Sequence, residues 1–274
     1  MHAYSRLVLH AALMVPTTGF AQAPTRAEQG AYVTVFRSPA TGGEYRCAIV
    51  VGGWSLILAA AGFTTVFGYL AAQFNYPDVL DGTAAEVLPR LLELGNTGRG
   101  VWIVYSLLPL LLVPAGIGAA AALRNWAPNA MRAALVLAGT AAVSMFLGLA
   151  RWPTLHWELA HGYATAAPDA RVAIDAVFAG ANRYLGNAIG EFLGELGLNG
   201  FFLLTGYAMM RSGRRWAGYA GVAAGVIGLL ASLRNVTDAV AMVAEANNVV
   251  LPLWLIGLGV VLLRWHPGNR AATP

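Results

Sequence analysis

The sequence predicts an all-α, polytopic transmembrane helix bundle of about six spans, with short amphipathic helices at the membrane interface. Three observations carry this. The chain has 274 residues, 58% of them hydrophobic and only 11% charged, whereas a soluble domain carries roughly 25% charged residues. Its apolar residues gather into long uncharged runs, and about 20 such residues suffice to cross a bilayer. Its basic residues stand at the ends of those runs, where they orient a membrane protein.

Three regions follow: an N-terminal extension (residues 1–45), a six-span bundle (46–266) and a C-terminal tail (267–274). Residues 1–23 are signal-like. Arg6 gives a positive start, Leu7 to Val15 an apolar core, and Ala21-Gln22-Ala23 a small-x-small pattern. His10 and Pro16 weaken that pattern, and the arginine bias described below predicts that these residues are retained. Residues 24–45 are polar, with Pro24, Pro39, Gly42 and Gly43, and read as disordered.

The first span runs from Cys47 to about Ala72 and contains no charge. After the break at Tyr76-Pro77-Asp78, Val87, Leu88, Leu91 and Leu92 share one face of a short helix and Glu86, Arg90 and Glu93 the other. That pattern predicts an amphipathic interfacial helix over 84–94. The second span, Val101–Leu123, holds Pro109 and Pro114, which predict a bend. The third is Ala133–Ala150, closed by Arg151-Trp152-Pro153. The long connection 152–182 predicts one amphipathic helix running into the fourth span, Tyr184–Met210. The fifth is Ala217–Leu233, with Gly221 and Gly225 placed to pack on the fourth across a short link. The sixth, Val249–Leu263, follows a connection closing with Asn247-Asn248. Trp102, Trp152, Trp216 and Trp265 stand at span ends, as interface anchors do.

All 17 basic residues are arginine. With the abundance of alanine and glycine, this suggests a GC-rich bacterial genome and hence an inner-membrane location. Eleven arginines fall on the side of the termini and of links two and four, and six on the other. The positive-inside rule then places both termini in the cytoplasm. The same distribution argues against nucleic acid as a partner, since no basic stripe is interleaved with aromatics. Membrane lipids are the expected surroundings, with a small polar ligand as a possible occupant. The single cysteine, Cys47, excludes an intrachain disulfide.

The most informative stretch is Arg183–Asn199. Arg183, Asn187, Glu191, Glu195 and Asn199 recur every fourth residue, which on an α-helix makes one slowly drifting polar stripe. Beside it, Gly186, Gly190 and Gly194 form a ridge that lets another helix approach closely. Ionisable residues within a span usually face a bundle interior or a watery cavity. Arg151, Arg183, Asn187, Glu191, Glu195, Arg234 and Asp238 are therefore the candidate polar pocket, gathered on one membrane side. The alternative is an ion-pair network that only fixes helix register. Glu191 is expected to pair with Arg151 or Arg234.

His156, Glu158 and His161 are spaced H-x-E-x-x-H, unlike the zinc-binding H-E-x-x-H. His156 and His161 would lie about 140° apart on a helix, and both are expected in a loop. No metal is predicted. No cofactor is predicted either, for no phosphate-cradling or dinucleotide glycine motif and no nucleophile elbow is present.

Tyr76-Pro77-Asp78-Val79-Leu80 with Glu86-Val87-Leu88, then Leu149-Ala150-Arg151-Trp152-Pro153, then Asn182-Arg183-Tyr184 with Gly190-Glu191, resemble in order and type an uncharacterised bacterial family. It is a domain-of-unknown-function group of multi-pass membrane proteins, and the resemblance covers about 48–266. It implies a six-helix bundle and brings no catalytic residues.

Three functions are open at this point. The first is binding or transport of a small polar solute or proton through an outward-facing polar pocket. The second is an intramembrane enzyme with Glu191 or Glu195 as acid or base. The third is a scaffold or sensor subunit whose polar residues only assemble helices. A lipid-like occupant beside Glu191 would favour the enzyme, a continuous water path transport, and a dry, fully paired cluster the scaffold.

Overall fold

The computed structural model describes residues 42–265, so the signal-like start and the tail 267–274 lie outside the described residues. Within them every element is helical. Helix α1 (Gly42–Phe74) carries the uncharged first span. It ends at Asn75, whose φ of 54° is left-handed, a conformation asparagine tolerates better than most residues. A 3₁₀ turn (Asp78–Asp81) leads to α2 (Ala84–Glu93), the predicted amphipathic helix. Its Val87, Leu88 and Leu91 are buried. The Thr83 backbone N–H and hydroxyl both donate to Glu86 Oε2, each at 3.0 Å, which closes a capping box. Those hydrogen bonds favour the charged carboxylate and hold Glu86 below its ordinary pKa.

The second span is split, as its prolines require. Helix α3 (Gly95–Leu107) passes through a 3₁₀ turn at Leu108–Leu111 into α4 (Leu112–Leu123). Helix α5 (Pro128–Ala150) does not stop at Arg151. It runs through a π-helical turn, Trp152–His156, into α6 (Trp157–Thr165), so that Pro128–Thr165 forms one 38-residue stretch. Pro153 has no N–H to give, and the widened turn absorbs it: the His156 N–H donates to the Arg151 carbonyl, five residues back, at 2.8 Å. The loop expected around His156 and His161 is therefore helix. Helix α7 (Pro168–Ala181) follows, then a 12-residue π-helical segment, Asn182–Leu193, and α8 (Gly194–Arg211). The connection 152–182 thus holds two helices and a π turn where the pattern predicts one helix. After Gly213, with φ of 87°, come α9 (Arg215–Ser232) and two short 3₁₀ turns. Helix α10 (Ala241–Leu263) starts earlier than expected, and Asn247 and Asn248 lie inside it.

Among the described residues five helical stretches are long and apolar enough to cross a membrane: Tyr45–Phe74, Gly95–Leu123, Pro128–Thr165, Arg215–Asn235 and Ala241–Leu263. They match five of the six spans in the sequence reading. The sixth, Tyr184–Met210, is helical but too polar to count by composition. Its half α8 nevertheless buries ten of its eighteen residues. The reason is its position. Helix α1 packs on α4, α4 on α5, α5 on α8, α8 on α9, α9 on α10 and α10 on α1. Six helices close a ring, and α8 joins α5 to α9.

The ring is held by small residues. A Cβ at Gly148 would lie 2.6 Å from Gly190 Cα, so α5 and the π segment cross backbone to backbone. The predicted ridge thus meets the third span, whereas the fourth and fifth meet through Gly206 and Gly218 and, as the spacing predicts, through Gly221 and Gly225. A Cβ on Gly218 would lie 2.7 Å from the Gly206 carbonyl. Large apolar side chains such as Trp54, Val136 and Leu253 point outward instead. An apolar exterior around a small-residue interior suits lipid as the solvent.

A second core lies where α2, α3 and α6 meet the end of α1. Trp102 and Trp152 stack there, with ring centres 4.8 Å apart, and Phe74 sits edge-on to both. Both tryptophans are fully buried. They are core residues and not the interface anchors expected from their place in the sequence. Trp265 is also buried, edge-on to Trp126 and under the Arg214 guanidinium. Only Trp216 of the four is exposed.

Candidate functional site

Within the ring lies a cavity of about 450 Å³. Its walls come from α1, the turn after it, α3, α4, α5, the π segment, α8 and α10. Most of the lining is apolar, including Phe63, Phe67, Leu108, Leu149, Leu251 and Leu255. Charge gathers at Arg151, Glu191, Glu195, Arg234 and Glu245.

Glu191 and Glu195 straddle the junction of the π segment and α8. Arg234 reaches them from the 3₁₀ turn that ends α9. It grips Glu195 with both terminal nitrogens, Nη2 to Oε1 at 2.6 Å and Nη1 to Oε2 at 2.9 Å. Its Nη2 also donates to Glu191 Oε2 at 3.2 Å. The two-point grip on Glu195 is the stronger arrangement. Glu195 is also the more enclosed carboxylate, at 12% side-chain exposure against 30% for Glu191. The expected pairing of Glu191 falls to Arg234, which serves both acids.

Arg151 does not pair with Glu191. It is 5% exposed, its Nε donates to Asn182 Oδ1 at 3.0 Å, and its Nη1 donates to the Gly148 carbonyl. Among the described residues no carboxylate lies within ion-pair distance of it. The Trp152 ring lies 5.2 Å from its guanidinium carbon.

Two members of the predicted stripe stand elsewhere. Arg183 and Asn187 are exposed and do not line the cavity. In the π segment the buried face carries Asn182, Gly186 and Gly190. Gly186, Gly190 and Glu191 line the cavity, with Glu195 of α8. Asn199, at the far end, is buried, and its Nδ2 donates to the Glu195 carbonyl at 2.8 Å. The Asp238 side chain lies outside the described residues.

Four contributors were not among the residues expected at the site from the sequence. Asn182, which orients Arg151, reads there as an ordinary neighbour of Arg183. Asn247 and Asn248 read as the end of a loop but line the cavity from α10, and Asn247 is buried. Tyr76 lines the cavity beside Tyr105, ring centres 6.1 Å apart, and burial pushes its phenol above the ordinary range. It is therefore neutral at physiological pH. His156 stays out of the cavity. It packs on Trp152 and Phe178, each 4.7 Å away between ring centres, and neither ring nitrogen has a partner. His161 is exposed, edge-on to Trp157. Among the described residues no three His, Cys, Asp or Glu side chains gather as a metal site would require.

Apolar spans arranged around a partly charged cavity make this a multi-pass membrane protein. Comparison with family models, curated proteins and solved structures yields no match, and none of the three bears on the family resemblance carried by the sequence motifs.

Proposed function

We propose that this protein binds or transports a small amphipathic solute in the cavity of the helix ring. The observation that carries this is the composition of the wall. A space of about 450 Å³ falls within the roughly 300–1,000 Å³ typical of ligand pockets, which are mostly apolar with a few placed polar groups. Apolar walls narrow the polar solute expected from the stripe to one with an apolar body and a polar head. A cluster that only fixed helix register would be dry, and this one faces open space.

The test fills the space. Ala244 lines the cavity from α10, and Ala244→Trp places an indole in it. Titration calorimetry with single-chain amphiphiles, on protein held in an amphipol, should show binding to the wild type and at least about tenfold weaker binding to the variant. Equal affinities, or no amphiphile bound by the wild type, would overturn the reading.

An enzymatic reading is favoured by one observation. Glu195 is clamped at two points, whereas Glu191 makes one longer contact and is more exposed. Glu191 is then the acid or base, and Glu191→Gln would abolish turnover while the fold survives.

For location we propose a bacterial inner membrane with both termini cytoplasmic and α8 as a sixth crossing, supported by the arginine asymmetry and by the packing of α8 between α5 and α9. Reporter fusions after Arg132 and Arg214 should report the cytoplasm, and fusions near Gly98 and Asp169 the periplasm. A periplasmic signal at Arg214 would reverse the assignment.

A further inference from the structure

The cavity holds two arginines in opposite situations. Arg234 faces two carboxylates and is fully engaged. Arg151 is nine-tenths buried, lines the same cavity and has no carboxylate partner among the described residues. Its Nε and Nη1 are fixed by Asn182 and by the Gly148 carbonyl, and its Nη2 has no acceptor among the described residues. The guanidinium packs against the Gly186 backbone, where a Cβ would stand 2.6 Å from Nη2, so only a glycine there lets it sit at the cavity wall. A guanidinium carries five N–H donors and cannot shed its proton in a protein. Buried without an anion, its charge is expensive unless something in the cavity answers it.

A second side chain points the same way. Asn247 is 5% exposed, lines the cavity from α10 and makes no side-chain hydrogen bond among the described residues. A buried amide is normally satisfied. Two buried, under-satisfied donors on opposite walls of one cavity are groups prepared for a ligand's acceptors.

We infer that Arg151, supported by Asn247, receives an anionic headgroup, so that the ligand is a single-chain anionic amphiphile. The inference rests on the amphiphile reading above and names the sign of the head. The other charges limit its magnitude. Glu191 and Glu195 are neutralised only by Arg234, and Glu245 also lines the cavity. Three lining carboxylates against Arg151 and Arg234 leave the wall with one formal negative charge in excess, so the anion site is local to Arg151 and holds few charges. A singly charged head, a carboxylate or a phosphodiester, therefore suits the cavity better than a doubly charged phosphomonoester. The apolar tail lies against the Phe63, Phe67 and Leu251 wall.

The experiment compares heads on one tail. Dodecanoate, dodecyl phosphate and dodecyltrimethylammonium are titrated into wild-type protein, Arg151→Gln, Arg151→Lys and Asn247→Leu, all in amphipol. The wild type should prefer dodecanoate over the cation by about tenfold or more, the scale of one charge-assisted hydrogen-bonded contact. It should also prefer dodecanoate over dodecyl phosphate at a pH where the phosphate is a dianion. Arg151→Gln should abolish the preference and leave binding of the cation equal or stronger. Arg151→Lys should keep the sign of the preference and reduce its size. Asn247→Leu should weaken the anion with no effect on the cation. Equal binding of anion and cation by the wild type would overturn the anion site and leave the amphiphile reading standing. No binding of either would overturn both. The wild-type comparison needs no variant to fold.

Discussion

Replacing Arg234 with methionine will destabilise the protein by about 2–3 kcal/mol. The figure lies below the roughly 3–5 kcal/mol of a fully buried pair because Arg234 and Glu191 are about one-third exposed and water screens them. The cost arises from what remains. Glu191 and Glu195 would face each other with their shared cation gone, and two close carboxylates oppose joint ionisation. The two acids will not contribute equally. Glu195 is held at 2.6 and 2.9 Å by two nitrogens and is mostly enclosed. Glu191 is held at 3.2 Å by one and is more exposed. A double-mutant cycle on thermal unfolding in detergent should give a coupling of Arg234 to Glu195 of about 1–3 kcal/mol, and to Glu191 of about 1 kcal/mol or less. Neither acid should couple directly to Arg151. Equal couplings to both acids would contradict the two-point grip, and additive losses throughout would remove the ion pairs.

The second large effect is expected at the crossing of α5 with the π segment. Gly148→Ala adds one methyl group where 2.6 Å separates the new Cβ from the Gly190 Cα. Neither partner is a flexible side chain that could swing away, so the helices must part. Overpacking costs typically about 1–3 kcal/mol, and a backbone contact places this case at the top of that range. Parting the helices also moves Arg151, whose Nη1 donates to the Gly148 carbonyl. The variant should therefore lose amphiphile binding as well as stability. Gly139→Ala on the same helix is the control. Nothing lies within 4 Å of a Cβ there, and alanine favours helix over glycine by up to about 1 kcal/mol. A Gly148→Ala protein as stable as Gly139→Ala would show that the helices do not cross at this distance.

The sequence reading and the structure part where packing decides what local pattern cannot. Arg183 and Asn187 are exposed because the buried face of Asn182–Leu193 is the glycine face, Asn182, Gly186 and Gly190, which packs on α5 and leaves its neighbours outside. His156 leaves its expected loop because a π turn carries the chain past Pro153 without ending the helix. Trp102 and Trp152 end their spans in sequence, yet they stack inside an aromatic core built by α2 and α6. Position along a chain does not say what will be packed over it.

The chain alone determined that this is an all-α membrane bundle, because uncharged runs long enough to cross a bilayer have few other places to go. It also determined the amphipathic helix over Ala84–Glu93, the interruption at Pro109, and that Glu191 and Glu195 face the cavity, since each rests on local chemistry or on the cost of charge in lipid. Tertiary structure alone decided that α8 closes the ring despite its polarity. It decided that one arginine, Arg234, answers both acids and that Arg151 faces the cavity with no carboxylate partner among the described residues. Counter-charges come from helices far apart in the chain, and only their packing selects among arginines that look alike in sequence.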